Sequence, residues 1–468
     1  MARLSALDAA MLAIETPQAP MHVGWAATFA PPAGGRRPEF EAVREHIAAR
    51  LPRAPRYRQR LAQVPLGLGD PVWVDDPGFD IARHVRHAPP GNFGELVDEV
   101  MSAPLAAGQP LWELWIADQL EDGQIGVVGK AHHCLVDGLG AVELMSLLLD
   151  LTPDPEVDEP APWQPAPQPG ALQLVADSVA HRLGQGLDVA RQPLDWVRAP
   201  ARAAQVPGQL RRTAQAALHA ALPPAPPSRL NGPMSTVRHL AWTSRPLEDL
   251  RVIKQQFGTT INDVLLAACA GAVRALALED GENPSDLKAM VPVSVRDPQE
   301  GWGNRIAFLF VALPCTEPDP LRRLRKIHRA TQSGKNARAP EGADALLGVL
   351  ALAPLPVRRV TARVLASPLV SNLTISNIPG PRDPVYLMGC EVGRAYPVVP
   401  LTNNHGLSIG LTTVSGQACF SVYAQIALAG DADRLARGID VAIGELLEGC
   451  EVEAPDAAQA GASSDAES

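Results

Sequence analysis

The chain is short of the features that would make it easy to classify. Its 468 residues hold six cysteines, Cys134, Cys269, Cys315, Cys390, Cys419 and Cys450, scattered without any paired spacing. That excludes a disulfide framework and a CxxC metal or redox pair, and reduced thiols in a cytoplasmic protein are the expectation. No HExxH is present to build a zinc site, and no GxSxG elbow to present a serine nucleophile. No nucleotide-binding loop or flavin motif occurs either, so neither a metal nor a bound cofactor is expected. Basic tracts are missing, the net charge is −10 and the isoelectric point is near 5.6, which argues against a nucleic-acid partner. The N-terminus is interrupted by Asp8 and Glu15 and lacks a signal-peptide core. The apolar runs read as falling short of the ~18 residues that a membrane span needs.

Apolar residues, by contrast, are plentiful. A hydrophobic share of 46% against 20% charged residues supports large cores, and the length suggests about two or three domains. Phe40, Val43, Ile47 and Leu51 recur at helical spacing, so Phe40–Leu51 is expected to be an amphipathic helix. Prolines crowd Thr152 to Pro169 and again Pro223 to Pro227, and such segments cannot build a core. Between them, Ala171 to Leu222 has a helical stripe broken at Pro193, Pro200 and Pro207. The segment Val264 to Val273 is apolar nearly all round, hence a buried helix, with Thr259 or Thr260 as its N-cap. Ala307 to Leu313 and Cys419 to Ile426 are strand-like, and Ser371 to Pro381 reads as a strand ending in a Pro-Gly turn.

The most informative stretch is His132-His133-Cys134-Leu135-Val136-Asp137-Gly138. It follows the apolar run Ile125 to Ala131 and precedes a segment of helical spacing, so a strand carries two histidines to a turn. Adjacent strand residues face opposite ways, and the two imidazoles are poorly placed to share one metal ion. What remains is a neutral imidazole able to take a proton from a hydroxyl or amine near pH 7. Cys134 reads as a packing residue.

HHxxxDG resembles the signature of the CoA-dependent acyltransferase superfamily. Further segments resemble one branch, the bacterial wax ester synthase/diacylglycerol acyltransferase family. They are Leu4-Ser5-Ala6-Leu7-Asp8 with Glu15 and Met21-His22-Val23-Gly24, then Pro110-Leu111-Trp112-Glu113, Asn262-Asp263, Pro292 to Arg296 with Gly303-Asn304, and Ser376 to Pro381. One departure is Ala106-Ala107-Gly108-Gln109, where the family usually carries charge. The resemblance implies an α/β fold of two chloramphenicol-acetyltransferase-like mixed-sheet domains. On that view residues 1–151 form the first half, 152–236 a Pro-rich, partly helical linker, 237–453 the second half and 454–468 a disordered tail.

It also implies transfer of a fatty acyl group from acyl-CoA to the hydroxyl of a diacylglycerol or a long-chain alcohol, with acyl-CoA as donor substrate. His133 is then the general base, as in the superfamily, with His132 packing behind it. Asn262 opens a helix, where free N–H groups and the dipole favour an oxyanion, although a mere capping role is the competing reading. Gly138 serves the turn, and superfamily resemblance pairs Asp137 structurally with Arg296. Trp112, with Trp115, could line an acyl channel or simply pack, and Trp112 and Asn304 are assigned to substrate binding. Alternatives are a superfamily member using a polyketide diol or a carrier-bound acyl group, and a lipid-binding protein without turnover. The expected location is cytoplasmic and peripheral at membranes or lipid inclusions, with the basic stripe of Ala171–Leu222 as a candidate contact.

Overall fold

The computed structural model describes residues 2–32, 35–89, 91–136, 147–155, 162–181, 184, 223–295, 305–336 and 355–462. Two six-stranded mixed sheets and one small sheet carry the fold. In chain order the strands are β1 Ala2–Arg3, β2 His22–Ala30, β3 Gln59–Ala62, β4 Val72–Asp75, β5 Val85–His87, β6 Trp112–Ala117 and β7 Ile125–His132. Then follow β8 Arg238–Pro246, β9 Leu287–Val295, β10 Arg305–Leu313, β11 Leu373–Ile378, β12 Tyr386–Leu387, β13 Cys390–Val398, β14 Leu407–Val414 and β15 Gln417–Gln425. The first large sheet has the order β12-β13-β2-β7-β6-β5 and the second β10-β9-β11-β14-β15-β8, while β1-β4-β3 form the small one.

A split of the chain near residue 236 does not divide the strands between the sheets. β13 lies in the first sheet and pairs antiparallel with β2, from Glu391 opposite Ala30 to Val398 opposite Gly24. Its far end is tied to the second sheet, because Ser408 Oγ donates to the Val399 carbonyl at 2.7 Å and the Ser421 hydroxyl donates to that of Pro397. A contiguous apolar cluster fills the seam between the halves. Ala26, Val97, Met101 and Val128 from the first meet Leu240, Val398, Leu401 and Tyr423 from the second.

Helix Phe40–Arg50 buries Val43 and Ile47 on the first sheet, as its spacing predicts. Its last residue, Arg50, forms a buried ion pair with Asp150, whose main chain bonds in both directions to Tyr386 in β12. Asp150 thereby ties helix Phe40–Arg50 to β12. The Pro-rich strap is ordered where it is described. Ala166 N–H donates to Asp75 at 2.9 Å, and Arg58 lies over the Trp163 ring. Residues 171–181 are helical and bury Leu174 against Val72 and Val74. Most of the remaining expected helical insert, up to Leu222, lies outside the described residues.

The helix Ile261–Glu279 lies inside the second half, packed on its sheet and on the helices Pro320–Asn336 and Ala429–Ala462. Its 19 residues, with a mean hydropathy of 1.6, are long and apolar enough to cross a membrane, which corrects the expectation that no run is. Two-thirds of it is nonetheless buried within the protein, as a core helix should be. The tail expectation is also revised. The last helix continues to Ala462, past Pro455 and the alanines that follow it.

The Pro379-Gly380 turn after β11 is set by a close approach. A Cβ on Gly380 would sit 1.7 Å from the Thr413 carbonyl oxygen, which no main chain can tolerate unmoved. Gly380→Ala is therefore expected to lower the urea-unfolding free energy by about 1–3 kcal/mol or more through backbone displacement. Gly430→Ala, where a Cβ meets nothing within 4 Å, should change it little. Equal effects at the two positions would contradict this account.

Candidate active site

Strand β7 runs between β2 and β6 and ends at His132, so both its neighbours fix where HHxxxDG begins. His132 faces His22 directly across the β2–β7 ladder, with the rings edge to face at 6.5 Å. His132 is 3% exposed. Its Nδ1 accepts the Cys134 N–H at 3.1 Å and contacts the Cys134 thiol at 2.9 Å. That hydrogen bond assigns the proton to Nε2, which points toward the Glu15 carboxylate at 3.7 Å. The first histidine is thus used up in folding the turn. Cys134 packs as expected. Burial, then the nearby carboxylates of Asp8 and Glu15, push its thiol far above the usual range, so it is no nucleophile.

His133 is the first residue beyond the strand. Its N–H donates to the Met21 carbonyl at 3.0 Å, and Met21 adopts a left-handed conformation with φ +50° to offer it. For a buried methionine that conformation costs roughly 1–2 kcal/mol, a local strain directly beside His133. The imidazole is partly exposed, while its Nδ1 is enclosed and meets no hydrogen-bonding side chain among the described residues. Surrounding protein, and next the His132 ring, hold its pKa down at about 4, with only its own main chain acting the other way. At neutral pH it is an uncharged base.

Behind this pair lies a buried polar layer that the sequence did not announce. Lys130 is fully buried on the same strand, paired with Glu113 of β6 and donating to the Ala103 carbonyl at 2.9 Å. His22 is pushed down to about 3 by burial first, then by Lys130, His132 and Arg238. Arg238 of β8 donates to the Gln18 carbonyl, so the second half grips the loop that carries Met21 and His22. The segments Met21-His22-Val23-Gly24 and Pro110-Leu111-Trp112-Glu113 touched this layer through His22 and Glu113, while Lys130 and Arg238 carried no signal.

Asn262 is the second residue of helix Ile261–Glu279, and its side chain is partly exposed. The cap is Thr260, whose hydroxyl accepts the Asp263 N–H at 3.2 Å, so the capping role does not fall to Asn262. The first-turn N–H groups of Ile261 and Asn262 have no carbonyl partner within the helix. His133 and Asn262 are not hydrogen-bonded to one another. Trp112 corrects the channel expectation. It is 1% exposed, stacks on His84 at 4.9 Å and donates its indole N–H to the Tyr57 carbonyl at 2.8 Å, which commits it to the core. Asp137, Gly138, Arg296 and Asn304 lie outside the described residues.

Residues 4–265 match the wax ester synthase/diacylglycerol acyltransferase catalytic domain, and residues 302–447 match that family's C-terminal domain. The chain belongs to this family. Two proteins of Mycobacterium tuberculosis named as diacylglycerol O-acyltransferases are 32% and 31% identical to it; the matches cover 96% of this chain and 90% and 96% of theirs. The wax ester synthase/diacylglycerol acyltransferase from Marinobacter aquaeolei VT8 superposes with a TM-score of 0.67 at 26% identity, over 96% of this chain and 100% of that one. The trichothecene 15-O-acetyltransferase from Fusarium sporotrichioides shares the fold, with a TM-score of 0.57 at 12% identity over 95% and 94% of the two chains. This acyltransferase therefore has the two-sheet architecture that the motif implied.

The depressed histidines make stability depend on pH with a definite sign. Near pH 6.5 an unfolded chain takes up protons that folded His22 and His133 refuse until about pH 3 and 4. The unfolded state therefore binds more protons between these limits, and stability is full above 6.5 and lost as pH falls. His22→Gln should flatten the slope between pH 6 and 5 by up to about 1.4 kcal/mol per pH unit. Urea unfolding at several pH values measures it, and an unchanged slope would rule the assignment out.

Proposed function

We propose that this family member transfers a fatty acyl group from acyl-CoA to the hydroxyl of diacylglycerol or a long-chain alcohol, with His133 as general base. The observation that carries the role of His133 is its placement, a partly exposed, uncharged imidazole at the end of β7 whose Nδ1 is enclosed. With Nδ1 enclosed, Nε2 is the nitrogen left to act. It removes the hydroxyl proton as the oxygen attacks the thioester carbonyl, which forms a tetrahedral oxyanion. Collapse expels the CoA thiolate, and the imidazolium returns the proton to sulfur. Such a base typically contributes about 10²–10⁴-fold. Asn262 and the first-turn N–H groups are the donors assigned to the oxyanion, each worth ~3 kcal/mol in sites of this kind. The Asp137–Arg296 pair retains its proposed structural role.

His133→Ala should cut turnover at least a hundredfold while leaving the fold intact, and His132→Ala, where folded, should cost less. With wild type, the acid limb of kcat/KM for CoA release should fall near pH 4, well below an ordinary histidine. A limb near 6.5 would remove His133, as described, from the base role.

Triacylglycerols and wax esters do not dissolve in water, so the reaction is placed at a lipid surface. The helix Leu355–Leu365 supports a peripheral contact there. It contains Arg358, Arg359 and Arg363 without an acidic residue, in a chain of net charge −10. Val360 and Val364 on it are 63% and 55% exposed, and Leu369 just beyond is 70% exposed. Val360→Asp combined with Val364→Asp should reduce flotation with anionic phospholipid vesicles several-fold without changing turnover of a water-soluble acceptor. Unchanged flotation would move the contact elsewhere, the insert up to Leu222 being the next candidate.

A further inference from the structure

We propose that His328 is a positioning residue for acyl transfer, holding the turn that presents Asn262 by way of the Asp263 carboxylate. The inference rests on the oxyanion role given to Asn262 above. His328 lies on the helix Pro320–Asn336, which packs against helix Ile261–Glu279. Its Nδ1 donates to Asp263 Oδ2 at 2.9 Å. The same oxygen accepts the Thr260 N–H at 2.9 Å, while Oδ1 accepts the Thr331 hydroxyl at 2.7 Å. Asp263 and Thr331 are each 1% exposed, whereas the His328 side chain is 28% exposed.

These bonds exceed what a helix start requires. The reciprocal capping box of Thr260 and Asp263 satisfies the local N–H groups by itself, and it is entirely local in the chain. The two further donors come from a different helix, 65 and 68 residues on. They fix the rotation and tilt of the first turn against its neighbour, and Asn262 is the residue immediately before the anchored carboxylate. Burial would raise the Asp263 carboxyl, but His328, Thr331 and Thr260 together hold it below the ordinary range, so the acceptor stays ionised and the bonds are charge-assisted. A donor to an oxyanion acts only if held within a few tenths of an ångström, and displacements of about 1 Å can cost 10²-fold.

The test is steady-state kinetics on His328→Ala, His328→Asn, Asn262→Ala and the His328→Ala/Asn262→Ala double variant, each checked by circular dichroism and thermal melting. His328→Ala is expected to lower kcat about tenfold with KM for acyl-CoA nearly unchanged. His328→Asn, whose amide can donate to Oδ2, should recover most of it. In the Asn262→Ala background the His328 change should cost clearly less, about threefold or below, because only the first-turn N–H groups remain to be positioned. The same tenfold loss in that background, a loss tracking the folded fraction, or a folded His328→Asn without recovery would each overturn the proposal. If Asn262→Ala alone leaves kcat intact, the oxyanion assignment fails first, and that result is read from its own single variant.

Discussion

Strand β13 is the constraint on which the arrangement of the molecule depends. It emerges from the second half, completes the first sheet beside β2, and is bonded at its far end to residues next to and within β14 and β15. A strand placed in this way covers the otherwise open side of β2 and ties the two halves together. β2 is in turn the neighbour of β7, so the sheet around the histidine-bearing strand is completed by a chain segment more than 250 residues downstream. Helix Phe93–Ser102 reinforces the seam from the other side. Its Asp98 accepts the Leu240 N–H at 2.8 Å and meets His239 at 2.7 Å.

The site shows how such a frame can hold a histidine in its uncharged form. His133 is given no carboxylate partner among the described residues. Its basicity is lowered by desolvation and by the neighbouring imidazole, and it therefore stays uncharged across the physiological range. The polar groups around it are consumed structurally. His132 closes the turn, and Lys130 with Glu113 ties β7 to β6 and to the end of helix Phe93–Ser102. Burying such groups is tolerable only because each is paired or kept neutral. The strained main chain at Met21 belongs to the same economy, since its unusual φ turns a carbonyl toward the His133 N–H.

Much of this was legible in the residues wherever the signal is local. The 3.6-residue spacing of Phe40, Val43 and Ile47, the apolar circumference of Ile261–Glu279, the strand-turn reading of Ile125 to Leu135 and the packing of Cys134 are all properties of neighbours in the chain. Trp112 was ambiguous for a good reason. An indole reads alike in a core and in a channel until its N–H finds a partner, here the Tyr57 carbonyl 55 residues away. The apolar length of Ile261–Glu279 is ambiguous in the same way, because composition cannot distinguish a membrane from the interior of a protein.

The sequence by itself determined the family, through motifs spread from Leu4 to Pro381, and with the family the two-sheet plan and the histidine to examine first. It also marked some of the helices and strands, among them Phe40–Arg50, Ile261–Glu279 and Ile125–His132, because hydrophobic periodicity is read within a few residues. Only the tertiary structure decided that β13 crosses into the first sheet, that His132 and His22 lie side by side, and that Asp263 is held by His328 and Thr331. Those are pairings between segments tens to hundreds of residues apart. No local pattern encodes them, because each depends on which surfaces the whole chain brings together once its cores have formed.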